Sequence, residues 1–148
     1  MIPATDLLGR LLLATALGAA IGVEREYRRK TAGLRTNILI ALGSALFTTI
    51  SIDLTSHGGT LDRIPAQIVT GIGFLGAGAI LRSGRSVHGM TTAATIWVNA
   101  AIGIAAGAGL FAMATVATAI TLGVLALLPP IEAYFERTLG ANDHVQHP

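Results

Sequence analysis

Apolar residues along the chain fall into five long blocks, approximately Leu7–Val23, Thr36–Ile52, Pro65–Leu81, Thr91–Gly107 and Leu110–Leu128. Short segments holding most of the charge separate the first four. Each block is close to the roughly 20 residues that a helix needs to cross a hydrocarbon core of about 30 Å. The last two require a separate argument, because no Asp, Glu, Lys or Arg occurs between Gly89 and Pro130. One helix over that stretch would extend about 60 Å, twice the core thickness. Gly107-Ala108-Gly109 is the natural break and makes the pair a helical hairpin. The pattern predicts an all-α membrane protein, a bundle of about five transmembrane helices in one polytopic domain over 1–139. Pro129 and Pro130 are expected to stop the fifth span. Ile131, Tyr134, Phe135 and Leu139 then recur at helical spacing, which predicts a short interfacial helix over 131–139 and a flexible tail at 140–148.

Composition agrees with lipid as the solvent. Hydrophobic residues make up 52% and charged residues 12%, against a usual charged share of about 25%. That leaves too little charge to coat a water-facing surface. The chain has no cysteine, which excludes disulfides and thiol chemistry. A net charge of +2 is small, and the bases cluster beside apolar blocks, as topology determinants do; nucleic acid is not an expected partner. Met1–Asp6 carries no base and Arg10 lies inside the first block, so a retained span is expected there, not a signal peptide.

The bases set an orientation. Arg25, Arg28, Arg29, Lys30 and Arg35 lie between the first two blocks, Arg82 and Arg85 between the third and fourth, and Arg137 in the tail. Five spans put these regions on one side, opposite Arg63 and Arg10. The positive-inside rule then places the N-terminus outside and the C-terminus in the cytoplasm.

The third block, QIVTGIGFLGAGAIL, contains Gly71-x-Gly73-x-x-Gly76, the spacing of a dinucleotide cradle. That motif needs a preceding strand and an acid about 20 residues on. No acid occurs between Asp62 and Glu132, so the nucleotide reading fails. Ala66, Thr70, Gly73 and Ala77 instead form a smooth stripe, with Gln67, Gly71, Phe74 and Gly78 beside it, while Ile68, Ile72 and Leu75 are expected to face lipid. Small residues let helix backbones approach closely. Thr70, Gly71, Gly73, Gly76, Ala77 and Gly78 are therefore the expected helix-packing positions. Gln67 either bonds a neighbouring helix or lines a polar cavity.

Other polar residues at or inside the blocks are candidates for function. Asp6 and Arg10 stand four apart and can pair, either snorkelling at the span end or facing the bundle. Glu24, Arg25, Glu26, Arg35 and Asn37 are a dense group that could lock the first two spans together or form a docking surface. Thr91 and Thr92 suit the start of the fourth span, one as a helix cap. Trp97 and Asn99 lie further in, and Asn99 is expected to bond across helices. No serine–histidine–acid set is visible, so no enzyme activity and no cofactor are expected. Asp6, Asp53 and Asp62 are the acids available to magnesium on the outer side, and they make a weak site.

Four segments together resemble the MgtC/SapB family of bacterial inner-membrane proteins: GVEREYRRKTAGLRTN (Gly22–Asn37), ALGSALF (Ala41–Phe47), RIPAQIVTGIGFLGAGAILR (Arg63–Arg82) and GMTTAATIWVNAAIG (Gly89–Gly103). The resemblance implies a multi-pass bundle of about five spans. In the best-known branch it also implies roles in growth at low magnesium and in survival inside macrophages. Those members are regarded as regulators, not magnesium carriers, acting partly by restraining the F-type ATP synthase. The family-typical polar residues are Glu24, Arg25, Arg35, Asn37, Arg63, Gln67, Arg82, Thr92 and Trp97. Two departures are expected: no soluble C-terminal domain beyond about Leu139, and Thr91 where some of those members carry asparagine. The expected function is a non-enzymatic regulator linked to magnesium homeostasis, and to virulence, that contacts another membrane complex or forms a homo-oligomer. A homo-oligomeric cation transporter or channel, using Asp6, Arg10, Gln67 and Asn99, is the alternative.

Overall fold

The computed structural model describes residues 2–55, 63–83 and 86–140. Five helices make up nearly all of it: α1 (Ala4–Tyr27), α2 (Leu34–Thr55), α3 (Arg63–Gly78), α4 (Met90–Gly107) and α5 (Phe111–Gly140). Between α3 and α4 lies a two-stranded antiparallel hairpin, β1 (Leu81–Ser83) and β2 (Ser86–His88), pairing Leu81 with His88 and Arg82 with Val87. Four helices, α1, α2, α4 and α5, are long and apolar enough to cross a membrane. Helix α3 has only 16 residues, about 24 Å at ~1.5 Å per residue. It ends at Gly78, so the expected third span loses Ala79–Leu81, and Leu81 enters the hairpin. Gly89 closes that hairpin at φ +91°, where a Cβ would lie 2.1 Å from the Ala79 carbonyl oxygen.

α2 is the central helix. Its buried positions include Asn37, Ile40, Ala41, Ser44, Ala45 and Thr48. Two glycine pairs seat α1 and α4 on it. A Cβ at Gly18 or Gly22 of α1 would stand 2.8 Å from the Asn37 carbonyl oxygen or from Leu34 Cα. A Cβ at Gly103 or Gly107 of α4 would stand 2.4 or 2.5 Å from the carbonyl oxygens of Ala41 or Ala45. Both pairs have the small-xxx-small spacing that brings helix backbones together where lipid supplies no hydrophobic drive. One apolar cluster gathers Ala14, Ile21, Ala45, Ile102, Ala106, Ala114 and Leu125 where α1, α2, α4 and α5 meet. A second gathers Ala32, Ile40, Ile72, Ile96 and Ala100 under α3.

Helix α3 runs antiparallel to α2. Ile64 and Gln67 share a cleft with Ser44 and Phe47, while Phe74–Ala79 share one with Thr31, Ala32 and Thr36. The α1–α2 loop and the β-hairpin therefore occupy one end of the bundle, as the distribution of bases requires. The faces of α3 are reversed from expectation at Ile68 and Ile72, while Leu75, 51% exposed, lies outward as expected. Ile72 and Gly76 are buried and Ile68 packs beside them, while Phe74 is 83% exposed and Ala66, Thr70, Gly73 and Ala77 face outward. Of the expected packing glycines only Gly76 meets a neighbour, Ala93 of α4; Gly71, Gly73 and Gly78 have open space beyond their Cα atoms. In lipid both faces of such a helix are apolar, so hydropathy does not choose between them.

Pro129 and Pro130 do not stop the fifth helix, which continues to Gly140, so the separate interfacial helix expected over 131–139 is the end of α5. Pro130 has no N–H for the carbonyl of Ala126 four residues earlier. Arg28 Nη2 donates to that carbonyl instead, at a long 3.5 Å. Transmembrane helices tolerate proline where such donors re-satisfy the freed groups. Of the tail expected at 140–148, only Gly140 falls within the described residues.

Candidate functional site

The end of the bundle that carries the bases is built around the C-terminus of α1. The amides of Arg29 and Lys30 bond the carbonyls of Glu26 and Arg25, a Schellman turn with Arg29 at φ 53°. The turn holds Glu24 and Arg25 at the last buried step of α1. Arg25 is only 2% exposed and its Nε donates to Glu24 Oε2. Arg28 Nε stands 2.7 Å from the other carboxylate oxygen of Glu24, close enough to pair but without hydrogen-bond alignment. One carboxylate thus serves two guanidiniums, and desolvation makes the Arg25 partner indispensable. Glu26 accepts the Leu34 amide at 3.0 Å, which caps the start of α2 from the other side of the loop.

Asn37 stands one turn into α2, fully buried. Its Nδ2 donates to the carbonyls of Ala32 and Gly33 at 2.8 and 2.9 Å, so the side chain ties the loop to the helix. Asn99 of α4, also fully buried, donates to the backbone carbonyl of Asn37 at 2.7 Å and to its side-chain oxygen at 3.2 Å. Asn99 Oδ1 has no hydrogen-bond partner among the described residues. The cross-helix role expected of Asn99 is present, with Asn37 as its partner.

Asp6 and Arg10 form a second site at the opposite end. Arg10 donates to Asp6 Oδ2 at 2.8 and 3.1 Å and to the Gly107 carbonyl at 2.8 Å. The α4–α5 turn is another Schellman motif: Gly109 at φ +80° bonds Ala106, and Leu110 bonds Ala105. Gly107 is left with a free C-terminal carbonyl, which Arg10 takes. The pair faces the bundle and does not contact Gln67.

The remaining candidates are dispersed. Arg35 and Arg63 are exposed, and their side chains form no ion pair with described residues, so Arg35 does not join the Glu24 network. Gln67 is exposed in the α2–α3 cleft and has no hydrogen bond among the described residues. Thr92 is buried. Thr91 does not cap α4, whose N-cap is Gly89; its carbonyl accepts the Thr95 hydroxyl at 2.8 Å. Trp97 is 53% exposed and points away from the bundle. Arg82 lies in β1, while Arg85 and Asp62 lie outside the described residues. Among the described residues no cluster of three or more His, Asp or Glu could hold a metal ion. Residue reading missed Arg28 as the second partner of Glu24, and it missed the glycine pairs. The pairs were legible as Gly18-x-x-x-Gly22 and Gly103-x-x-x-Gly107.

The fold and its buried polar locks define a multi-pass membrane protein. Residues 11–134 match the model of the MgtC family, and the chain belongs to that family. It is 50% identical over 123 residues to protein MgtC of Brucella abortus, covering 83% of this chain and 51% of that one. It is 53% identical over 112 residues to protein MgtC of Salmonella typhimurium, covering 76% and 48%. An uncharacterized protein of Synechocystis is 47% identical over 125 residues, covering 84% and 53%. The chain thus spans about half the length of the curated relatives it matches. No solved structure matches it.

Proposed function

We propose that this chain is a non-enzymatic regulator of the bacterial inner membrane, oriented with its N-terminus outside, that supports adaptation to low magnesium by docking against another membrane protein. The observation that carries this reading is the division of labour among its glycines. Gly18 and Gly22 of α1 and Gly103 and Gly107 of α4 are spent on packing within the chain, whereas Ala66, Thr70 and Gly73 on the outward stripe of α3 are exposed, with open space beyond Gly73. A small, smooth stripe at bilayer depth suits contact with a second transmembrane helix. That helix belongs to a membrane complex, with the F-type ATP synthase as the first candidate from the family resemblance, or to another copy of this chain. A virulence role belongs to the same reading.

The competing reading is a homo-oligomeric cation channel or transporter using Asp6, Arg10, Gln67 and Asn99. Within one chain these residues occupy three separate places: the α4–α5 turn, the α2–α3 cleft and the α2–α4 core. The chain has no cysteine, so Gly73→Cys supplies a single crosslinking handle. Crosslinks from Gly73→Cys in native membranes, together with impaired growth of a Gly73→Leu strain at low magnesium, are the expected results. Absence of any crosslink, or cation flux through the purified protein in liposomes, would refute the docking reading.

A further inference from the structure

The two clefts along α3 share Thr36, Ile40 and Leu75, so they form one furrow between α2 and α3. Their volumes are about 630 and 440 Å³, and the lining is mostly apolar, with Ser44 and Gln67 toward one end and Thr31 and Thr36 toward the other. We propose that this furrow holds an acyl chain of an anionic phospholipid, with the headgroup at the basic end beside Arg35.

Glycine supplies the first argument. Gly43 of α2 and Gly71 of α3 line the furrow from opposite walls, and a Cβ at either would meet nothing within 4 Å. Glycine inside a helix costs about 1 kcal/mol relative to alanine. At Gly18, Gly22, Gly103 and Gly107 a close backbone requires it. At Gly43 and Gly71 nothing in the chain does, and the space their missing side chains leave belongs to the furrow.

Volume and charge choose the occupant. A methylene takes up about the ~30 Å³ of a liquid water, so a sixteen-carbon chain needs ~480 Å³, which the larger cleft supplies. At the basic end the lining turns polar with Thr31 and Thr36, flanked in sequence by Lys30 and Arg35. All four are exposed, and neither basic side chain forms an ion pair with described residues. The first-turn amides of Arg35 and Thr36 have no intrahelical acceptor and add positive potential there. Two hydroxyls, two free cations and a helix start suit a phosphodiester, and the apolar furrow continues from that point for the length of α3. Of the outward stripe of α3 only Ala77 borders the furrow, and the site does not depend on what Ala66, Thr70 and Gly73 contact.

Native mass spectrometry of the full chain, purified in mild detergent and offered equal amounts of phosphatidylglycerol and phosphatidylcholine with identical chains, tests the site. The wild type should retain phosphatidylglycerol several-fold over phosphatidylcholine. Gly43→Leu and Gly71→Leu should lose both lipids, Arg35→Gln should retain the two equally, and Gly123→Leu, in open space away from the furrow, should behave as wild type. Equal retention of both lipids by the wild type overturns the proposal without any variant. So does undiminished retention by folded Gly71→Leu, or a change in oligomeric mass of the leucine variants with lipid retention intact, which would make the furrow a seat for a second copy. Should a leucine variant not fold, the wild-type preference and its loss in Arg35→Gln decide.

Discussion

Asn99 of α4 reaches across to Asn37 of α2 and bonds both its backbone carbonyl and its side-chain oxygen, while Asn37 spends its own amide hydrogens on Ala32 and Gly33. The two residues therefore have unequal consequences. Asn37→Ala removes the loop tie and one of the two acceptors of Asn99, whereas Asn99→Ala removes both bonds that its amide donates to Asn37 and an already unpaired oxygen. Interhelical hydrogen bonds in membranes average about 0.6 kcal/mol and reach ~2. Asn99→Ala should cost about 1 kcal/mol and Asn37→Ala about 2–3 kcal/mol, since buried carbonyls are left unmet. Thermal unfolding in detergent measures both. Equal losses would show that the loop tie contributes little.

Glycine replacements should divide by face, not by helix. Gly103→Val drives a side chain onto the Ala41 carbonyl, which a Cβ alone would approach to 2.4 Å. Overpacking of that kind costs about 1–3 kcal/mol, and here the obstacle is backbone. Gly123→Val, with nothing within 4 Å of its Cβ, should change thermal stability by less than about 0.5 kcal/mol. Comparable losses in the two variants would mean that α4 does not sit on α2 through Gly103.

Much of this was legible before the fold. The charge gaps mark helix ends, and the break at Gly107-Ala108-Gly109 is where Gly109 takes φ +80° to close a Schellman turn. Asp6 and Arg10 announce their pairing by a four-residue spacing. What sequence could not supply were relations between segments. Pro129 and Pro130 lie inside α5, and the carbonyl that Pro130 leaves free meets a donor from Arg28, about a hundred residues earlier in the chain. Which face of α3 turns inward depends on Ile72 meeting Ile40 and Ile96, and Ile72 looks no different from a lipid-facing residue.

Arg10 acts as the cap that the α4 terminus lacks. Arg10→Leu frees the Gly107 carbonyl and leaves Asp6 without its cation, for a loss of about 1–3 kcal/mol. Asp6→Asn keeps the bond to Gly107 and gives up an ion pair whose acid is 38% exposed, so its cost should stay below about 1 kcal/mol. Chemical unfolding of the two variants separates the contributions. A larger loss in Asp6→Asn would place the importance of this site in the pair itself and not in the helix terminus.

Arg29 is the one non-glycine residue at positive φ among the described residues, at the αL position of the turn that ends α1. An L-residue with a side chain costs about 1–2 kcal/mol in that conformation, and glycine does not. Arg29→Gly should therefore stabilise the protein, by about 1 kcal/mol once the added freedom of the unfolded chain is discounted. The strain is retained at a position that presents a cation beside Arg28 and Lys30 at the basic end. A rise in melting temperature together with weaker growth at low magnesium would show that the charge, and not the turn, keeps arginine there. A fall in melting temperature would mean that the Arg29 side chain makes a stabilising contact that outweighs its backbone.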